Sequence, residues 1–278
     1  MKSDLLALAA IALWGTLAPL GVQLAHVPPF LLTGLGLLVG SVISLPLARF
    51  RLSRWRVPLT TLLVGVYGLF GFHFLLFIAL RNAPAVEANL INYLWPLGMV
   101  VMAPLFLKDV QLRGRHIVAA LIGFTGAAIA ILGRGGPLGG AVEFHVGYLF
   151  ALASAFVWAS YSLLTRRLPA FPTAAVGGFA AASGVLSLVC HALLEPAVAL
   201  STQDLVLIAI LGLGPLGGAF FLWDAAIKLG DTRRIGLLAF ATPILSTVML
   251  LLTTGQALQW NVVVAAALVV GAAWLGSR

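Results

Sequence analysis

Charge is what this chain has least of. Asp, Glu, Lys and Arg make up only 9% of its 278 residues, while 62% are hydrophobic. A soluble globular protein needs far more charged surface than that. Mean hydropathy is +1.10. Cysteine is nearly absent, and the lone Cys190 excludes a disulfide framework and a cysteine metal cluster. The five histidines, at 26, 73, 116, 145 and 191, include no pair at i,i+4 spacing, so no metal site is expected. No glycine loop runs into Lys and Ser/Thr, and no soluble domain is inserted, which argues against an ATP-driven pump. No serine, histidine and acid stand in a catalytic pattern, so neither an enzyme nor a cofactor is expected.

What remains is a series of apolar runs. They cover roughly 5–25, 30–48, 58–80, 86–107, 115–133, 147–165, 173–194, 205–227, 232–252 and 259–276. Each is long enough to cross the hydrocarbon core as a helix. Lipid cannot satisfy free backbone amides and carbonyls, and a barrel would need short alternating strands instead. The expected fold is therefore an all-α integral membrane protein with ten transmembrane helices. Trp14-Gly15-Thr16 and Pro19 interrupt the first run, which reads as a retained helix rather than a signal peptide.

The basic residues are sorted by loop. Arg49, Arg51, Arg54 and Arg56 follow helix 2, and Lys108, Arg113 and Arg115 follow helix 4. Arg166 and Arg167 follow helix 6, and Lys228, Arg233 and Arg234 follow helix 8. With Lys2 and Arg278 these all fall on one side, and only Arg81 and Arg134 fall on the other. The positive-inside rule then places both termini in the cytoplasm. The net charge of +8 records this sorting and does not indicate nucleic-acid binding.

The chain also repeats itself. Ala12-Leu13-Trp14-Gly15 has a counterpart in Phe156-Val157-Trp158-Ala159, with the tryptophans 144 residues apart. Leu94-Trp95-Pro96-Leu97 matches Ala241-Thr242-Pro243-Ile244, with the prolines 147 residues apart. At that same offset Ala79-Leu80-Arg81 falls on Ala226-Ile227-Lys228. Two halves of five helices, 1–133 and 147–278, joined by a Gly-rich linker at 134–146, must have opposite orientations. Inverted repeats of this kind mark many secondary transporters.

Ten helices in two inverted five-helix repeats, with Leu13-Trp14 early in helix 1 and Ala79-Leu80-Arg81 closing helix 3, resemble the drug/metabolite transporter superfamily, EamA type. The likeness covers the whole chain. Within that group, Tyr93-Leu94-Trp95-Pro96 and His73 look most like the aromatic amino-acid exporters. The resemblance implies export of aromatic and other neutral, apolar amino acids by alternating access.

Polar residues inside a bundle turn toward a neighbour or a cavity. Asn89, Asn92, Tyr93 and Pro96 share one face of helix 4, with Trp95 beside it. The asparagines suit either interhelical glue or a substrate path, and the two aromatics suit packing or lining. Trp14, Trp158 and Tyr161 are candidates on helices 1 and 6, and Thr242 and Ser246 on helix 9. His73, with Phe77 one turn on, is a hydrogen-bond donor to a carbonyl, a substrate contact or a proton carrier. Pro96 and Pro243 are candidate hinges. Pro243 is expected to break a backbone hydrogen bond mid-helix and free a carbonyl for an ammonium group. Asp224 and Lys228 read as an intrahelical ion pair, and Arg81 could pair with Glu87 across a short loop. Gly36-x-x-x-Gly40 and Gly214-x-x-x-Gly218 suit close helix packing, within a monomer as well as between copies. Such a path, aromatic and amide-rich with few fixed charges, fits a small neutral or zwitterionic solute. A broad-range drug or metabolite exporter would use the same path. The partners expected are the solute and membrane lipid.

Overall fold

The computed structural model describes residues 2–108, 110–132, 144–254 and 260–277, all as helices and connecting turns. The expected linker lies largely outside the described residues, as does the side chain of Glu87. Among the described residues, eight helical segments are long and apolar enough to cross a membrane: α1 (Lys2–Gln23), α2 (Pro29–Leu47), α3 (Leu59–Arg81), α4 (Ala88–Phe106), α6 (Gly147–Leu164), α7 (Thr173–Leu194), α8 (Thr202–Leu229) and α9 (Thr232–Thr253). Two further apolar helices are α5 (Gly114–Leu132) and α10 (Trp260–Ser277).

Proline and short polar side chains set the helix starts. Pro29 opens α2 with its φ already helical, and Pro58 and Pro84 precede the first turns of α3 and α4. Ser201 and Asp204 form a reciprocal capping box at the start of α8. Asp231 caps α9 by accepting from the Arg233 amide at 2.9 Å.

Most of the long helices are not continuous. Thr16 interrupts α1 between Gly15 and Leu17. A π-helical turn sits in α3 at Tyr67–Gly71 and another in α8 at Gly214–Gly218, 147 positions later. The first half of α4 ends at Asn92 and the second begins at Trp95, and α9 breaks at Phe240. Pro243 is therefore not a mid-helix break as expected. It stands in the first turn of Ala241–Thr254, as Pro96 does in Trp95–Phe106, where a missing amide removes no intrahelical bond.

Packing between the helices is reciprocal. α1 lies against α8 and α9, and α6 lies against α3 and α4. α2 contacts α7 and α8, α7 contacts α3, and the pairs α5–α10 and α4–α9 complete the bundle. Small residues permit the closest approaches. A Cβ on Gly40 would come within 2.7 Å of Gly217 Cα, so α2 and α8 touch through backbone there. Gly214 and Gly218 instead bound the π turn of α8, and neither makes such a contact with another helix.

Candidate functional site

The broken segments converge on one cavity of about 260 Å³. Its walls come from the second halves of α1 and α3 and the starts of α2 and α4. Leu17, Gly21, Leu32, Thr33, His73, Leu76, Phe77, Asn89, Asn92 and Tyr93 line them. Trp14, Trp95, Trp158, Phe72 and Phe220 close it toward the end that carries the basic loops, and Leu211, Leu216 and Thr242 complete the lining. No Asp, Glu, Lys or Arg is among these residues. Tyr161 and Ser246 are not among them either. Tyr161 packs beneath, its ring 5.4 Å from that of Trp158, and Ser246 lies beside Gly15.

The aromatic floor is held by edge-on contacts of Trp14 with Trp95, Trp158 and Phe220, which align ring edges with ring faces, and by tilted contacts of Trp158 with Phe72 and Phe220. Trp14 lies 5.8 Å from Trp158 and 6.4 Å from Trp95, and Trp223 lies 5.1 Å below Trp14. Trp14 Nε1 donates to Pro215 O at 3.1 Å. The carbonyl that engages a donor here thus belongs to the π turn of α8, where the helical ladder is locally widened. Trp223 Nε1 donates to Ser162 Oγ at 3.2 Å.

The polar lining is sparse and partly committed. His73 Nδ1 stands 2.6 Å from Leu69 O, which can only accept, so Nδ1 carries a proton and Nε2 is the acceptor in the neutral ring. Asn92 pairs with Ser154 Oγ at 2.9 Å, and the same hydroxyl reaches Ala151 O at 2.7 Å. Thr242 Oγ1 is buried and has no partner.

Charged groups gather at the two ends of the bundle. At the basic end, Asp224 Oδ2 accepts from Lys228 Nζ at 2.6 Å and from Thr173 Oγ1 at 2.7 Å. Lys228 also donates to Phe171 O at 3.1 Å and sits 3.6 Å from the centre of the Phe171 ring. Arg166 reaches the Gly230 carbonyl, so the loop after α6 is fastened to the end of α8. At the opposite end Arg81 binds the Glu195 carboxylate at 2.6 Å, while the side chain of Glu87, its expected partner, lies outside the described residues. The Glu195 side chain is fully buried and also accepts from the Phe30 and Leu31 amides at 3.0 and 3.2 Å, capping α2 from the residue that follows α7.

This arrangement has counterparts among known proteins. The EamA-like transporter family matches the chain over residues 1–132 and 145–278. The chain belongs to that family. It is 40% identical over 275 residues to a protein of Ancylobacter novellus named aromatic amino acid exporter YddG, covering 98% of this chain and 96% of that one. It is 27% identical over 302 residues to the YddG of Salmonella typhimurium, covering 100% and 98% respectively. A solved crystal structure with 39% sequence identity superposes with a TM-score of 0.92, covering all of this chain and 96% of the other. The protein is thus a multi-pass transporter-family member of the bacterial inner membrane.

Sequence reasoning overlooked Phe72, Phe220 and Trp223. Phe220 contacts Trp14, Trp158 and His73 at ring distances of 6.2, 5.6 and 6.1 Å, and Phe72 lies 5.2 Å from Trp158. Phe72 directly follows the π turn of α3, and Phe220 and Trp223 follow that of α8. Glycine clustering at Gly68–Gly71 and Gly214–Gly218 was the signal that could have located both turns.

Proposed function

We propose that this protein exports aromatic and other neutral, apolar amino acids across the inner membrane by alternating access. The observation that carries this reading is a cavity floored by Trp14, Trp95 and Trp158 with no charged side chain among its described lining residues. Indole rings favour an aromatic or apolar side chain. The absence of a fixed charge suits a solute whose own charges cancel. The name of the Ancylobacter novellus relative supports the substrate class.

In this reading ten helices cross the membrane as two inverted halves, 1–133 and 147–278, with both termini cytoplasmic. Three features support the duplication: the 147-residue spacing of the two π turns, the same spacing of Pro96 and Pro243, and the reciprocal packing of α1 on α8 and α9 and of α6 on α3 and α4. The cavity faces the outer side, and the inner side is closed by the aromatic floor and by the Asp224–Lys228–Thr173 cluster beneath it. Rocking of one half on the other, with Pro96 and Pro243 at the breaks, would expose the same site inward.

Counterflow of labelled tryptophan, phenylalanine and leucine in proteoliposomes tests this reading. Saturable exchange supports it. No exchange of any amino acid by folded protein would refute it. Equal competition by dyes and purines would favour a broad-range exporter instead.

A further inference from the structure

Trp95 and Thr242 occupy corresponding places in two half-helices. Each directly precedes a proline, Pro96 or Pro243, and each stands in the first turn of its half-helix, Trp95–Phe106 or Ala241–Thr254. Both line the cavity. One offers an indole and the other a hydroxyl.

That hydroxyl is set apart by its place: Thr61, Ser183, Ser187 and Thr232 also bury a hydroxyl without a partner, but of the five only Thr242 lines the cavity. Thr125, Thr165, Thr247 and Thr253 each donate to the carbonyl four residues back, the ordinary fate of a helical threonine in an apolar setting. For Thr242 that carbonyl belongs to Leu238, on the far side of the break at Phe240, and the bond is not made. Thr242 is only 6% exposed, so bulk water does not compensate. A buried donor without a partner is a standing cost that a bound acceptor removes.

The surroundings specify which acceptor. The first turn of a helix presents amides without intrahelical partners and the positive end of the helix dipole, a setting that favours an anion. The described lining of the cavity holds no Lys or Arg to take that role. We infer that Thr242 and the first turn of Ala241–Thr254 form the carboxylate subsite, so that an amino acid lies with its carboxylate at α9 and its side chain toward Trp95 and Trp158. This subsite rests on the amino-acid reading above.

The test is competition for labelled tryptophan counterflow by unlabelled tryptophan and by tryptophanamide, which keeps the ring and amine but lacks the carboxylate. Thr242→Val should weaken tryptophan roughly tenfold to a hundredfold, the range for a lost hydrogen bond to a charged group. Tryptophanamide should be affected little, and Thr242→Ser should restore tryptophan. If the valine variant does not fold, Thr242→Ala is read in the same way. Unchanged tryptophan affinity, or equal weakening of both compounds, would overturn the subsite while leaving the wild-type exchange intact. A wild type that exchanges no aromatic amino acid would overturn the proposed function and the subsite together.

Discussion

Asp224 and Lys228 differ in burial, and that difference predicts an asymmetric response to mutation. The Asp224 side chain is 1% exposed and that of Lys228 is 24% exposed. Lys228→Met removes the charged donor and leaves a buried carboxylate held only by the Thr173 hydroxyl. Breaking a buried pair from that side costs about 3 kcal/mol. Asp224→Asn is milder. The ammonium keeps the Phe171 carbonyl and ring, and its stem can carry it toward the membrane surface. We expect a cost of about 1 kcal/mol. The double variant, with neither charge, should cost well under the sum, giving a coupling of about 2 kcal/mol. SDS-titrated unfolding of the purified protein, followed by circular dichroism, measures all four states. Additive costs, or a larger penalty for Asp224→Asn than for Lys228→Met, would refute the argument from burial.

Three further outcomes follow from the geometry. Trp158→Ala should slow tryptophan counterflow several-fold at equal expression and leave the protein folded, because the deleted ring borders an existing cavity; normal exchange would remove Trp158 from the site. Gly68→Ala places a methyl against the Tyr161 ring and should destabilise by roughly 1–3 kcal/mol, so an unchanged unfolding midpoint would show that α3 and α6 can separate freely. The Asp231 carboxyl is pushed up by burial, but hydrogen bonds from Arg233 outweigh this and hold it below the ordinary range. Asp231→Ala should therefore cost about 1 kcal/mol at neutral pH, with the difference shrinking only as pH falls below about 4, and a loss already at pH 6 would contradict the assignment.

The membrane helices were readable because lipid permits little else: an apolar run of sufficient length must satisfy its own backbone. The helix breaks were not readable in the same way. Counting faces at 3.6 residues per turn assumes a regular ladder, and a π turn inserts a residue that rotates everything beyond it by roughly 100°. Phe72, Phe220 and Trp223 all follow such turns and are apolar residues in apolar runs, so neither polarity nor a motif marked them out. Asn89 and Asn92 precede the break in α4 and Tyr93 opens it, and all three border the cavity, whereas Pro96, beyond the break, does not. Tyr161 follows Trp158 by one turn on the same stripe, but that turn descends below the floor of the cavity. Glu195 gave no local signal, because its role as a cap for α2 depends on amides 164 and 165 positions earlier in the chain.

Under the proposed duplication, the breaks in α4 and α9 are one device used twice, and each delivers the residue before its proline to the cavity. A duplicated site with identical side chains at the two places would hold a solute equally well in either of two orientations. Here the pair is Trp95 and Thr242, one with a large apolar face and the other with an unpartnered hydroxyl. These cannot serve the same part of a ligand. A symmetric apolar compound would satisfy the indole and leave the hydroxyl as costly as before. A solute with an aromatic end and a carboxylate end satisfies both, in one orientation only. Divergence between the halves at this single position is thus sufficient to turn a general apolar cavity into one that selects for amphiphilic shape.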